Sequence, residues 1–240
     1  MSSFFENNYP SISYLALRWP QSKHLVRQYV MSNRLEPDLF KLCDSCLKSL
    51  NFYKKYPLLL KLKKLSQLCS KNYSYNSYHN IHHFKSVILL SSIFSKKYNL
   101  NDFDKILVVI LSLTHDMGHQ GRRNLSSPYY QELKTLKQLE QNIFCKILNF
   151  KKWERIKRII LNTYFPVKCK VGNDLVEKII LDVDIITSLM FGSQNGLKLA
   201  NRLKNEIRFE NKSEVLFSYF LKFIKKKKLH LEISKDSCTI

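Results

Sequence analysis

Glycine and proline are scarce in this 240-residue chain, with five and six copies. So few breakers leave little material for tight turns, and the abundant Leu, Lys, Ile and Ser favour helices over short strands. No apolar run approaches the roughly 20 residues that span a bilayer, and no segment repeats at solenoid spacing. The first residues show no basic start followed by an apolar stretch and a small-residue cleavage site, so a soluble, cytoplasmic protein is expected. Acids are also short, with 19 Asp and Glu against 40 Lys and Arg for a net charge of +21. Such a balance invites nucleic acid. The lysines, however, are spread along the whole chain among asparagines and isoleucines, a mixture an AT-rich coding sequence produces without any partner, so no stable nucleic-acid complex is expected. Lys225 to Lys228 form the densest basic run and read as a solvated helix end. Cys43, Cys46, Cys69, Cys145, Cys169 and Cys238 make no disulfide framework. Cys43 and Cys46 have redox or zinc spacing, but without a second pair they read as core thiols.

What is present is helical periodicity. Pro10, Pro20, Pro37 and Pro57 cut the first 72 residues into short helical segments, with Leu39, Phe40, Cys43, Leu47 and Leu50 on one face. A helix is expected from about His79 to Tyr98, and another, capped by Asn101 and Asp102, to about His115. Further helices are expected over Gln131–Leu148, Lys152–Thr163, Leu175–Met190, Asn195–Phe209 and Ser213–Lys227. The tail from Leu229 reads as a short strand or a disordered end. The fold class is all-α, a compact multi-helix bundle with no linker between two cores.

Two polar runs bracket the apolar stretch Ile106–Leu113. The first is Tyr78-His79-Asn80-Ile81-His82-His83, and the second runs from His115-Asp116-Met117-Gly118-His119 to Asn124. At a separation of four, His79 and His83 would share a helix face, while His82 would point about 100° away. Imidazole and carboxylate suit zinc and manganese, and carboxylate with water suits magnesium. A fourth ligand is expected from the apolar helix that Asp182 and Asp184 interrupt, because a carboxylate facing a core is costly unless paired or metal-bound. His24 and His230 read as ordinary surface or hydrogen-bonded histidines.

The order Tyr-His-Asn-x-x-His followed by His-Asp-x-x-His-x-Gly-x-x-Asn resembles the catalytic domain of the class I 3′,5′-cyclic nucleotide phosphodiesterases, a branch of the HD-domain metal phosphohydrolases. The resemblance covers Tyr78 to Asn124 directly. Gln138-Leu139-Glu140, Ile159 to Thr163 and Val183-Asp184-Ile185 are similar to later segments of the family. It implies an HD-domain-like bundle over 1–240, with 1–72 as a helical lead-in, 73–228 as the metal-dependent phosphohydrolase core and 229–240 as a tail. It implies that His83, His115, Asp116 and Asp184 hold the tighter ion, zinc in this family, and that Asp116 bridges to a second ion, magnesium or manganese. It further implies that His79 is the general acid, that His119, Asn124 and Glu140 orient the water, and that Asn80 supports the ligands. The substrate class implied is a small cyclic nucleotide, cyclic AMP or cyclic GMP, opened to the 5′-monophosphate. Alternatives are another HD-type phosphohydrolase, acting on a cyclic dinucleotide, nucleotide or phosphate monoester, and a catalytically spent nucleotide-binding protein.

The chain departs from the family in places. Gln120 stands for a proline, Tyr164 for an aspartate, and Gln141-Asn142 for two histidines. Lys212-Ser213-Glu214-Val215-Leu216-Phe217 lines up with a run in which glutamine and phenylalanine hold the base, with Glu214 where glutamine belongs. On that alignment Phe217 would stack on the base and Glu214 would accept hydrogen bonds from it. The plainer alternative is a surface charge and a core ring.

Overall fold

Side-chain caps set five of the described helix starts, at Ser11, Asp38, Asn80, Asn101 and Asp174, and the caps decide which functional residues lie inside a helix. The computed structural model describes residues 10–32, 36–51, 56–72, 76–121, 127–141, 150–164, 171–188, 192–226 and 229–237. Among them are twelve helices and no strand: α1 (Ile12–Leu17), α2 (Lys23–Met31), α3 (Leu39–Ser49), α4 (Tyr56–Asn72), α5 (Ile81–Lys97), α6 (Asp102–Thr114), α7 (Tyr130–Gln141), α8 (Phe150–Asn162), α9 (Leu175–Ile186), α10 (Ser193–Ile207), α11 (Ser213–Lys226) and α12 (Glu232–Ser237). The all-α expectation holds. The tail is corrected: Glu232–Ser237 is a short helix, neither strand nor disordered. Among the described residues no helix is long and apolar enough to cross a membrane.

α5 is the axis of the bundle. Every residue from His83 to Ser95 is buried, so the helix has no solvent face beyond its ends, as expected where neighbours pack all round. Those neighbours are α1, α2, α3, α6 and α9. Ser86, Ser91, Ser92 and Ser95 supply small side chains among its larger ones. α6 is buried from Leu107 to Thr114 and returns alongside α5 after a four-residue connection, with Asn99 in the left-handed region at φ 47°. An antiparallel hairpin of this kind sets the first turn of α5 beside the last turn of α6. That is how His83 and His115, far apart in sequence, become neighbours.

One hydrophobic cluster draws on every part of the chain, from Ile12 in α1 through Leu42, Phe84, Leu111, Ile156 and Ile180 to Ile233 in α12. Cys43, Cys46 and Cys69 are buried in it, which fits the core reading; Cys145, Cys169 and Cys238 lie outside the described residues. The α1–α2 region is clasped to α12, since Trp19 Nε1 donates to Ser237 Oγ at 3.0 Å and Lys23 Nζ donates to the Ser237 carbonyl at 2.9 Å. Arg155 of α8 ties two helix starts together, reaching Asp104 at 2.6 Å in α6 and Asp174, the N-cap of α9, at 2.7 and 2.8 Å. A smaller cluster around Ala200 and Phe217 holds α10 against α11.

Asp182 and Asp184 separate cleanly. Asp182 is 1% exposed and accepts the backbone N–H groups of His230 and Leu231 at 3.0 and 2.9 Å, so its carboxylate pins the segment leading into α12. Asp184, two residues on, points to the other side of α9.

Candidate metal centre

Asn80 is the N-cap of α5, and its Oδ1 accepts from the backbone of His82 at 3.0 Å and His83 at 3.3 Å. Its Nδ2 donates to the Ser77 carbonyl at 2.9 Å. This supports His83 by fixing the first helical turn. It also corrects the expected helix start: His79 lies before the cap and outside the helix, so the i, i+4 argument for a shared face does not apply to it. The turn brings the two rings together anyway, with centroids 5.4 Å apart.

Ligand atoms of His83, His115, Asp116 and Asp184 all lie within 4.8 Å of one another. His83 Nε2 is 3.3 Å from Asp184 Oδ1 and 3.7 Å from Asp116 Oδ2. His115 Nε2 is 3.2 Å from Asp116 Oδ2 and 3.5 Å from Asp184 Oδ1. The other nitrogen of His115 faces the Ser112 carbonyl at 3.1 Å; when it donates there, the neutral ring turns its Nε2 lone pair toward the carboxylates. Both Nε2 atoms are buried and make no hydrogen bond. Two buried imidazole nitrogens facing two carboxylates at 3.2–3.7 Å, without hydrogen-bond geometry, form a donor set that a divalent cation satisfies. The residues therefore fit a metal ion.

The electrostatics agree. Burial opposes the charged form of both histidines, but Asp116 and Asp184 outweigh it, raising His83 and holding His115 well above its usual range. Burial likewise opposes the charge on Asp116 and Asp184. His115 and His83, with His79 also acting on Asp116, hold both carboxylates below their usual range. Without an ion, protons on imidazole supply the positive charge that the two carboxylates demand.

His79, His119 and Glu206 form a second convergent group, but its atoms are already engaged. Glu206 Oε2 accepts the backbone N–H groups of Tyr78 at 2.6 Å and His79 at 3.0 Å, and Oε1 accepts His79 Nδ1–H at 2.5 Å. His119 Nδ1 accepts the Gly121 N–H at 3.1 Å. The contrast with the orphaned nitrogens assigns this group to hydrogen bonding. Burial pushes Glu206 up, yet the hydrogen bond and charge of His79 prevail and bring it to about 2. Burial and the neighbouring His79 lower His119 to about 3, so it stays neutral. Its ring leans against that of His79, with centroids 3.7 Å apart and a tilt of 31°. His79 Nε2 thereby faces Asp116 Oδ2 at 3.7 Å.

Two close approaches shape the turn after Asp116. A Cβ on Gly118 would fall 2.2 Å from the Gln131 carbonyl of α7, and the Gly118 N–H donates to Thr135 Oγ1 at 2.7 Å. Gly121 has φ 65° and packs on Asn76.

The remaining expected residues are not in the cluster. Glu140 is exposed near the end of α7, and Asn124 lies outside the described residues. Glu214 is exposed in the first turn of α11, where Ser213 Oγ donates to it at 3.3 Å. Phe217 is 8% exposed, and its ring abuts Gly196, where a Cβ would fall 2.5 Å away. It lines a small apolar recess with Leu203, Phe220, Tyr78 and Ser188. Tyr78, whose hydroxyl is hydrogen-bonded to Ser188 Oγ, closes the recess on the side of the histidines, its ring 5.1 Å from that of His83. Glu206 was missed from the sequence. The available signal was register, because it follows Leu199 and Leu203 on one face of α10, the same argument that singled out the acids of α9. Neither a family model nor a curated protein matches this chain.

Proposed function

We propose that this protein is a metal-dependent phosphohydrolase of the class I cyclic nucleotide phosphodiesterase type, opening a 3′,5′-cyclic nucleotide to its 5′-monophosphate. The observation that carries the reading is the pair of orphaned Nε2 atoms of His83 and His115 facing Asp116 and Asp184, with a hydrogen-bonded His79–Glu206 pair beside them. His83, His115, Asp116 and Asp184 would hold a zinc ion, and Asp116 would also reach a magnesium or manganese ion. Two such ions lower the pKa of water and neutralise phosphoryl oxygens during in-line displacement.

The chain's own residues supply the rest. The leaving 3′-oxygen needs a proton, and His79 would give it from Nε2, which lies 3.7 Å from Asp116 Oδ2. Glu206 fixes the ring by holding Nδ1–H, and neutral His119 supports its face. Tyr78 excludes water from the inner side. Phe217, which lines the apolar recess with Tyr78, would offer its ring to the base, and Glu214 would accept hydrogen bonds from it.

The test is product analysis of the purified protein with manganese or magnesium on cyclic AMP, cyclic GMP, cyclic dinucleotides, linear nucleotides and phosphate monoesters. A 5′-monophosphate from a cyclic mononucleotide, abolished in Asp116→Ala, supports the reading. Turnover of the other substrates alone reassigns the protein within the phosphohydrolases. Nucleotide binding without turnover makes it a binding protein.

A further inference from the structure

Helix α11 is the least covered long helix with described side chains. Of these, only Phe217 is buried, and α10 is its principal support. Val215 and Tyr219, one turn apart, are 37% and 58% exposed. Lys222 is exposed and continues the line at i+7 from Val215, with exposed Lys225 one position round and Lys212 exposed just before the helix. Leu216, Phe220, Leu221 and Ile224 are half-buried on the inner face with Phe217, where they pack toward α10 and leave the outer stripe uncovered. A stripe that is apolar for two turns and basic for the next is the pattern of a helix that lies in a membrane interface, its lysine stems flattened on apolar surface and their ammonium groups at the headgroups.

We infer that the outer face of α11 docks on an anionic lipid surface. Charge decides among occupants. A second copy would bring a chain of net charge +21 against another, with the lysines of α11 facing each other, whereas a lipid surface of negative headgroups complements them. Exposed Tyr14 and Leu17 on α1 make a comparable apolar pair, but α1 has six residues and no lysine. A lysine-rich helix end also suits the helix dipole alone; that explanation leaves Tyr219 in water for no reason, and it is the alternative the experiment excludes. A nucleic acid would use the lysines but not Val215 or Tyr219.

The test is co-sedimentation of the full chain with phosphatidylcholine vesicles, with and without phosphatidylserine, beside a single-stranded RNA binding assay. Selective binding to the anionic vesicles is expected. It should weaken roughly thirtyfold in Lys222→Ala with Lys225→Ala, at the usual contribution per lysine. Tyr219→Asp should lose vesicle binding, while Leu17→Asp should keep it. A Tyr219→Trp protein should show blue-shifted emission quenched by brominated lipid. Equal binding to neutral vesicles, no binding, binding indifferent to Tyr219→Asp, or RNA binding with no vesicle binding would each overturn the inference. Both aspartate sites are exposed, so failure to fold is not expected, and far-UV circular dichroism checks it.

Discussion

Replacing Glu206 by glutamine changes one atom and isolates the role assigned to its carboxylate. Three N–H groups converge on a side chain that is 2% exposed: the backbones of Tyr78 and His79 at 2.6 and 3.0 Å, and His79 Nδ1 at 2.5 Å. A glutamine carbonyl can keep the two backbone bonds, which leaves its amide NH₂ facing Nδ1 and removes the charge-assisted bond. Such bonds contribute about 1.5–3 kcal/mol, so kcat should fall about 10- to 150-fold, with KM and metal content near those of the parent. If the loss lies in delivering a proton to the leaving oxygen, it should shrink to almost nothing on a p-nitrophenyl phosphodiester, whose leaving group departs without one. Equal losses on both substrates, or loss of bound metal, would refute the assignment. The same change has a stability signature in the ion-free protein. Folding lowers Glu206 from its ordinary 4.5 to about 2, so its contribution is present above pH 4.5 and disappears as pH falls toward 2. Its size is at most about 3 kcal/mol, and the glutamine variant should lack that part of the acid transition in urea titrations.

The two aspartates of α9 should behave oppositely toward the metal. Asp184→Asn should abolish metal binding by calorimetry and also lower the ion-free melting temperature near neutral pH, because it removes a carboxylate paired with His83 and His115, while Asp182→Asn should keep the metal and lose about 1–2 kcal/mol through its bonds to His230 and Leu231. Metal affinity should rise with pH and binding should release protons, because His83 and His115 are raised and must deprotonate to become ligands; calorimetry in buffers of different ionisation enthalpy measures the release. Gly118→Ala should cost about 1–3 kcal/mol by driving the Asp116 turn off α7, a fall of roughly 2–10 °C in melting temperature for a chain of this size. Arg155→Ala should cost about 1–3 kcal/mol, between an exposed and a buried ion pair, since it leaves Asp174 and Asp104 without that partner.

Much of this protein is legible in one dimension because the decisive signals are local. Helix spacing and scarce breakers determine an all-α chain, and Asn101 marks a helix start through its own side chain. Polar residues interrupting apolar helices need a reason to be there, which singles out His115, Asp116 and the acids of α9, and the motif resemblance is what implies the set His83, His115, Asp116 and Asp184. Other features depend on what lies across a gap. Asp182 and Asp184 have the same sequence context, and only packing shows that one meets the backbone of the tail and the other meets two histidines. His79 looks like a helical partner of His83 until the Asn80 cap excludes it from the helix. Its true partner, Glu206, is more than a hundred residues away on α10 and is brought there by packing. Phe217 reads equally as a clamp or as core, and Gly196 on the facing helix is what supplies its neighbour. Local backbone chemistry determines where helices begin and which faces are apolar; which atoms meet is decided only when those faces close on one another, because contact is a property of the packed chain.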